Sequence, residues 1–208
     1  APVTYVAQCH AKWAITDPFP NDGDLTKAFP PEQEWKKEFE YQGKTYGTTR
    51  ILGSGAYLRH VWGEKMVKGL YEKPEPNHTA YAFTRVYSPV AQDAAMRIEF
   101  QNYSRSEFKD CCPPEGEWDW KKSWIKLNGE KIQPPTWIEH PIGQITNENC
   151  AVRQPTPIHL NEGWNTILLK LPVGQFTTKE VRLIKWMFTA AITTTDGKQA
   201  LPGIIYMP

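Results

Sequence analysis

The chain has 208 residues, and 24 Lys and Arg stand against 23 Asp and Glu, which gives a formal net charge of +1. That length suits one large β-domain or two small ones and is ample for a buried core. The balanced charge argues against nucleic acid or an anionic membrane surface as a partner, because each requires a concentrated positive field. No apolar run reaches the length of a membrane-spanning helix.

The amino-terminal residues and the cysteines leave the cellular compartment open. Residues 1–17 lack the basic and apolar regions of a signal peptide, so we expect a chain that is mature, cytosolic or cut from a larger protein. The cysteines are Cys9, Cys111, Cys112 and Cys150. An adjacent pair rarely bridges itself, and no Cys-x-x-Cys spacing offers a zinc site. Bridges from Cys9 or Cys150 to either member of the pair stay open.

The first third of the chain predicts short strands. Prolines, 18 in all, interrupt nearly every helical window, while aromatic and β-branched residues cluster in short runs, a composition typical of all-β proteins. We expect an extended segment over 13–20, a hairpin over 38–51 with Gln42-Gly43 at its turn, and a strand over 55–63. Only 31–38 has the pattern of a helical turn, with Pro31 near its start.

The middle third gives clearer alternation. The segment 78–89 predicts a strand that places four side chains on one face: Tyr81, Phe83, Arg85 and Tyr87. The segment 94–100 predicts a half-buried strand, because apolar residues alternate with Arg97 and Glu99. The segment 123–132 carries the strongest hairpin signal, since Asn128-Gly129 supplies the positive φ angles of a type I′ turn.

The last third continues the same pattern. The segment 156–172 predicts two strands around 161–163, and 181–208 predicts a long apolar strand, a turn at Asp196-Gly197 and a closing strand. Turn signals recur roughly every 8–12 residues and no linker interrupts 38–208, which favours a single antiparallel β-sandwich. We assign this domain to 13–208 and interpret 1–12 as a leader or interdomain connection.

The chain carries no recognisable enzyme motif. It has no Gly-x-Ser-x-Gly elbow, no His-Glu-x-x-His and no phosphate-binding glycine loop. The five histidines are scattered, and carboxylate pairs for glycoside hydrolysis can be drawn from many residues. We therefore expect no independent catalysis.

One short segment has oxygen ligands suited to a cation. Asp22 and Asp24 flank a glycine, and such carboxylates bind calcium when enough of them surround it. The ligand run is incomplete, and an Asx-rich turn explains the same residues. We expect no cofactor, with a structural calcium at this turn as the alternative.

Tryptophans near the Asn128-Gly129 turn are the candidates for carbohydrate binding: Trp118, Trp120, Trp124 and Trp137. Loop aromatics stack on sugar rings, but they also seal the ends of sandwiches. Both interpretations are open for Trp118 and Trp120. Strand parity places Trp124 on the polar face, opposite Ile125 and Leu127. Sealing is favoured for Trp124 and Trp137.

Other residues complete the prediction. Trp164 and Trp186 lie within strong strands, so we expect both in the core. Arg105 and Glu107, in the polar segment 101–110, are the expected hydrogen-bonding partners of a sugar stacked on Trp118, Trp120 or Trp124.

Several segments in order resemble the C-terminal accessory region of family-twenty glycoside hydrolases, the β-N-acetylhexosaminidases. They are FPPE (29–32), GAYLRHVWG (55–63), NHTAYAFTRVYSP (77–89), IEFQNYSRSE (98–107), EWDWKKSWIKLNGEKIQPPTW (117–137), NENCAVRQPTPIHLNEGWNTILLKLPVG (147–174) and VRLIKWMFTAAITTTDGK (181–198). The resemblance runs from about residue 13 to the end and implies a jelly roll of galactose-binding-like type. The adjacent Asp-Glu pair of that family's catalytic barrel has no counterpart, because the chain contains no Asp-Glu dipeptide.

The resemblance implies a non-catalytic accessory domain of a secreted, periplasmic or cell-surface β-N-acetylhexosaminidase. Its expected partners are carbohydrate, with N-acetylhexosamine-containing glycans foremost, and the catalytic domain of the same polypeptide. Two alternatives remain: a structural domain that packs on and stabilises the catalytic barrel, and an independent carbohydrate esterase or hydrolase. The resemblance transfers no ligand residues.

Overall fold

The computed structural model describes residues 10–62, 65–101, 113–137, 155–176 and 185–208. The four cysteines, together with Arg105 and Glu107, lie outside these ranges, so the predictions made for them are untested. The described residues form fifteen strands and a single 3-10 turn at Pro30–Glu32. None of them belongs to a helix long and apolar enough to cross a membrane.

The strands follow the sequence pattern closely. In the first half they are β1 (Lys12–Thr16), β2 (Phe19–Pro20), β3 (Phe39–Tyr41), β4 (Lys44–Tyr46), β5 (Thr48–Leu52), β6 (Gly55–Trp62), β7 (Lys65–Val67) and β8 (His78–Ser88). In the second half they are β9 (Gln92–Glu99), β10 (Trp124–Leu127), β11 (Glu130–Lys131), β12 (Thr156–Leu160), β13 (Gly163–Val173), β14 (Trp186–Thr193) and β15 (Ile205–Tyr206).

Two antiparallel sheets face each other. The first has the order β11-β10-β13-β8-β1-β5, with β2 and β15 also paired to β8, and the second has the order β12-β9-β14-β6-β7. Apolar side chains from both sheets form one core, in which Trp13 of β1 meets Phe188 of β14 edge to face at 5.4 Å. The predicted all-β antiparallel sandwich is confirmed. Its core begins at Ala11, which is buried, so residues 11 and 12 belong to the folded domain.

The expected turns are present, but at two places the strands pair with other strands than those predicted. Both residues of the pairs Gln42-Gly43 and Asn128-Gly129 have positive φ, as their hairpins require. The predicted 38–51 hairpin contains only β3 and β4, because β5 pairs with β1. Strands β12 and β13 do not pair with each other either: β12 joins β9, whereas β13 joins β8 and β10. The helical turn expected over 31–38 is the short 3-10 turn at Pro30–Glu32.

Asn165 fixes the passage of the chain from one sheet to the other. Its amide donates to the carbonyl oxygens of Asn161 (2.9 Å) and Gly163 (3.2 Å), and its Oδ1 accepts from Asn161 N at 2.9 Å. The same Oδ1 accepts from Asn128 Nδ2 at 2.8 Å, while Thr166 N donates to Asn128 Oδ1 at 2.9 Å. The Asn128-Gly129 turn is thereby attached to the start of β13.

Residues 17–47, hereafter the cap, cover part of the outer face of the first sheet. Asp17 and Gly47 close its base, since each backbone N–H donates to the other residue. A second apolar cluster forms between the cap and β8: Phe19, Phe29, Phe39, Tyr46 and Tyr81. Trp35 of the cap stacks on Phe83 of β8 at 4.7 Å. Two outward-facing aromatics of β8, Tyr81 and Phe83, are therefore buried beneath the cap.

A buried ion pair attaches the cap to the sheet. Lys170 Nζ of β13 lies 3.0 Å from Glu32 Oε2 and donates to the carbonyls of Thr26 (3.2 Å) and Lys27 (2.7 Å). The Tyr81 hydroxyl donates to the same Glu32 oxygen, and burial beside this carboxylate raises the pKa of Tyr81. Since Lys170 is only 2% exposed, these partners replace the water that its ammonium group loses on burial.

Candidate functional site

Trp118 lies in the core and not on a loop surface. The residue is 3% exposed, its indole donates to the Ile132 carbonyl at 3.1 Å, and its ring contacts Phe100 and Trp137 edge to face. A sugar cannot reach either face of this ring, so Trp118 is withdrawn from the predicted stacking surface. Trp137, whose indole donates to the Glu117 carbonyl at 2.8 Å, seals the same end of the sandwich, as expected.

Trp120, two residues further on, is held out into solvent. It is 51% exposed, and no hydrogen bond, ion pair or ring contact joins it to another residue of the described chain. The turn beneath it is fixed by Asp119, whose carboxylate accepts from Lys121 N (2.9 Å), Ser123 N (3.0 Å) and the Ser123 hydroxyl (2.7 Å). Lys121 Nζ pairs with Asp119 at 3.0 Å and donates to the Phe100 carbonyl. A turn held by buried hydrogen bonds thus presents a half-exposed indole.

Trp124 lies on the outer face of the first sheet, as strand parity predicts. Ile125 is fully buried and Leu127 packs against the core, whereas Trp124 is half-buried. Three ammonium groups lie over its ring, from Lys126 (4.7 Å), Lys131 (5.7 Å) and Lys170 (5.9 Å). Since cations already occupy this ring, it is a poorer stacking surface for a neutral sugar than Trp120.

Trp164 is exposed, which makes its assignment to the core wrong. It is 49% exposed because β13 turns its odd-numbered side chains inward, among them Ile167, Leu169 and Leu171, and its even-numbered ones outward. The same alternation was readable in the sequence and would have placed Trp164 outside. Trp186, assigned to the core with it, is buried and donates to the Leu171 carbonyl at 2.9 Å, as expected.

An apolar surface surrounds Trp164, and we call it the Trp164 face: Arg85, Tyr87, Trp164, Ile205 and Met207. Tyr87 is the cross-strand partner of both Trp164 and Ile205, so the three form one row across β13, β8 and β15. The rings of Tyr87 and Trp164 meet edge to face at 5.4 Å, and the Arg85 guanidinium lies 5.6 Å from the Trp164 ring. Ile205 and Met207 are about as exposed as Trp164.

The Trp164 face is separate from the outer face of β10 around Trp124, hereafter the Trp124 surface. Trp124 pairs with Lys170, which lies six residues beyond Trp164 on β13, or about 20 Å along the strand. Trp120 precedes Trp124 in the chain, on the turn that leads into β10. One small ligand cannot bridge the Trp164 face and the Trp124 surface.

The calcium candidates belong to a turn. Asp24 Oδ1 accepts from the backbone N–H (2.9 Å) and hydroxyl (2.7 Å) of Thr26, and these hydrogen bonds lower the pKa of Asp24. Asp22 pairs with Lys27 at 3.2 Å and its side chain is largely exposed. The described residues hold no group of three or more His, Cys, Asp or Glu side chains arranged for a metal ion. An Asx turn therefore accounts for Asp24, and the ion pair with Lys27 for Asp22.

Among the clefts lined by described residues are two of about 310 Å³. One is lined by residues 66–69 with His60, Tyr71, Glu72 and Pro74, and burial together with the charge of Lys185 lowers the pKa of His60. The other is lined by residues 200–204 with His10, Ala11, Ser54, residues 191–192 and Tyr206. Within the described ranges, no hydrogen bond joins a serine or threonine hydroxyl to a histidine.

Comparisons with known protein families, with curated proteins and with solved structures find no match for this chain. The candidate site is accordingly defined by its own geometry: a half-exposed Trp120 on a hydrogen-bonded turn, a lysine-covered Trp124, and a separate Trp164 face.

Proposed function

We propose that the chain is a non-catalytic, carbohydrate-binding accessory domain of a secreted β-N-acetylhexosaminidase, with Trp120 as its stacking surface. Support comes from the ordered sequence resemblance to that family's C-terminal region. The resemblance also implies a galactose-binding-like jelly roll, with which the passage of the chain between sheets at 161–163 agrees. N-acetylhexosamine-containing glycans are the proposed ligands.

The observation that carries the proposal is the exposure of Trp120 on a rigid turn. The half-exposed indole offers an apolar ring face on which a sugar ring can stack. Asp119 and Lys121 hold the turn from beneath through buried hydrogen bonds. A sugar that stacks on this ring would bind without ordering the loop, which lowers the entropic cost of binding.

The test is a calorimetric titration of the isolated domain with N-acetylhexosamine-terminated oligosaccharides. Trp120→Ala should weaken binding at least tenfold, which corresponds to about 1.4 kcal/mol. Trp164→Ala is the matched control, because Trp164 is equally exposed but lies on a different surface. Equal affinities for the wild type and Trp120→Ala would remove Trp120 from the site, and absence of binding by the wild type would remove the carbohydrate function.

A second candidate function, docking on the catalytic barrel of the same polypeptide, is favoured by the composition of the Trp164 face. Trp, Tyr, Arg and Met are the residues enriched in protein interfaces, and Ile205 and Met207 offer no hydrogen bonds to a sugar. In the full-length enzyme, Trp164→Glu should make heat inactivation of the catalytic domain faster, whereas Trp120→Ala should leave its rate unchanged. Unchanged inactivation in Trp164→Glu would contradict docking through this face.

A further inference from the structure

Two lysines oppose each other on the β10–β11 hairpin. Lys126 and Lys131 are direct cross-strand partners. Ile125 and Leu127 turn toward the core, so Lys126 and its partner face outward. Like charges placed opposite each other destabilise an antiparallel pair. The hairpin therefore keeps an arrangement that works against its own stability.

Both ammonium groups converge on one aromatic ring. Lys126 Nζ lies 4.7 Å and Lys131 Nζ 5.7 Å from the centroid of Trp124. The attraction of a cation to the ring face keeps each ammonium group within about 6 Å of this ring. Lys170 also lies over this ring, at 5.9 Å, but Glu32 and two backbone carbonyls occupy its ammonium group.

No carboxylate of the described chain pairs with Lys126 or Lys131. Ion pairs in these ranges do involve other lysines: Lys27, Lys36, Lys68, Lys121, Lys122 and Lys170. Glu130, the acidic residue of the hairpin, is the cross-strand partner of Leu127 and so lies on the other side of β11 from Lys131. Within the described residues, the outward face of the hairpin therefore carries two positive charges over one indole and no paired carboxylate.

We propose that Lys126, Lys131 and Trp124 form a binding site for a tetrahedral oxyanion, a sulfate or phosphate group. Such a group carries several acceptor oxygens and can receive hydrogen bonds from two ammonium groups at once. Lysine acts as a point charge suited to it, whereas a lone carboxylate is better matched by the planar fork of arginine. The anion relieves the repulsion between the two lysines, while the Trp124 ring holds their ammonium groups on the outward face of the hairpin. The proposed function makes a sulfated sugar the natural source, but the site does not depend on it.

The first experiment titrates the domain with sodium sulfate and with sodium chloride at matched ionic strength, and follows heat and tryptophan fluorescence. Saturable binding of sulfate alone is expected, weakened at least tenfold in the double variant Lys126→Gln/Lys131→Gln. Lys44→Gln is the matched control, because Lys44 also lies over a ring, that of Tyr46 at 5.2 Å, but faces Tyr41 across its hairpin and not a second lysine.

Three results would overturn the site. The first is an equal response to sulfate and chloride. The second is unchanged sulfate affinity in the double variant, provided that its melting temperature shows it to be folded. A loss of affinity in Lys44→Gln as large as in the double variant would also contradict the site, because it would show a general effect of charge.

A second set of titrations identifies the source of the anion. A sulfated N-acetylhexosamine should bind more tightly than inorganic sulfate, inorganic phosphate or the unsulfated sugar. If it binds no more tightly than inorganic sulfate, the oxyanion site stands and the glycan source is overturned. Trp120→Ala separates this from the proposed function, because it should weaken binding of neutral oligosaccharides and leave binding of inorganic sulfate unchanged.

Discussion

Strand β8 carries outward-facing aromatic residues of two kinds. Tyr81 and Phe83 are buried beneath the cap, whereas Tyr87, on the same face of the same strand, lies in the exposed Trp164 face. The alternation along the strand is identical at the three positions. What differs is coverage by the cap, which reaches Tyr81 and Phe83 through Phe19 and Trp35 but does not extend to Tyr87.

The contrast teaches that an outward aromatic becomes core or surface according to a segment distant in the chain. Under the cap, aromatic rings make a second apolar cluster that contributes to stability. Beyond it, the rings of Tyr87 and Trp164 contribute little to stability and are available to a partner. Substitutions in the two regions should therefore have effects of different size and kind.

The largest expected difference is between Phe19→Ala and Trp164→Ala. Phe19 is fully buried and stacks on Phe29 and Tyr46, so its truncation should lower the free energy of unfolding by about 3–5 kcal/mol. Trp164→Ala should lower it by less than about 1 kcal/mol, because half of the ring is already in solvent. Denaturant unfolding measures both, and similar losses would contradict the contrast.

Removal of the buried charge under the cap should come next in size. Glu32→Gln leaves the Lys170 ammonium group buried without its counter-charge, at a cost of about 3 kcal/mol. Hydrogen exchange should rise across the cap and stay unchanged at the start of β13. Glu34→Gln is the control, since its pair with Lys36 is exposed and contributes less than about 1 kcal/mol.

Replacement of both partners tests the cause of that loss. Glu32→Gln/Lys170→Met should recover much of the stability, because no buried charge remains. If the double variant is no more stable than Glu32→Gln, packing of the cap and not the ion pair accounts for the effect.

Strand β15 places one side chain on the surface and one in the interior: Ile205 lies on the Trp164 face and Tyr206 lies in the core. Burial raises the pKa of Tyr206 to about 12 from an ordinary value near 10. Because the folded state holds the proton more tightly, this contribution is complete below pH 10 and is lost as pH rises through 12. The loss is on the order of 2 kcal/mol.

Thermal unfolding measured from pH 9 to pH 12 checks this. Tyr206→Phe should lose less stability across the window than the wild type, although burial of Tyr71 and Tyr81 raises their pKa values too and keeps some alkaline sensitivity. Identical pH dependence in the two proteins would contradict the assignment to Tyr206.

The smallest expected effect on stability comes from the Lys126–Lys131 pair of the β10–β11 hairpin. Lys131→Glu replaces the like-charged pair with Lys126 by an opposite-charged one, which should raise the free energy of unfolding by roughly 0.2–1 kcal/mol. Lys44→Glu, whose partner is Tyr41, should bring no such gain. If Lys131→Glu both stabilises the domain and abolishes sulfate binding, the same lysine pair accounts for the repulsion and for binding of the anion. A destabilised one would contradict the repulsion.

Local signals in the sequence were enough to predict the sandwich and most of its strands. Asn128-Gly129 and Gln42-Gly43 determine their turns through backbone conformation, and the alternation in 94–100 points Met96 into the core as expected. The partners of β5 and β12 were not predictable in this way, because pairing between distant strands leaves no mark within either segment.

The candidate site was only partly predictable. Trp118 and Trp120 stand two residues apart with similar neighbours, and only the fold places one in the core and the other in solvent. The exposure of Trp164 was readable from the parity of β13 and was missed because the strand as a whole is apolar. The convergence of Lys126 and Lys131 on Trp124 needed the hairpin register and the side-chain positions together.

The central claim is that Trp120 binds carbohydrate, and the paired titration of Trp120→Ala and Trp164→Ala with N-acetylhexosamine-terminated oligosaccharides tests it most directly. We expect both variants to fold like the wild type, Trp120→Ala to lose at least tenfold in affinity and Trp164→Ala to bind as the wild type does. Unchanged affinity in Trp120→Ala, or loss of affinity only in Trp164→Ala, would contradict the claim.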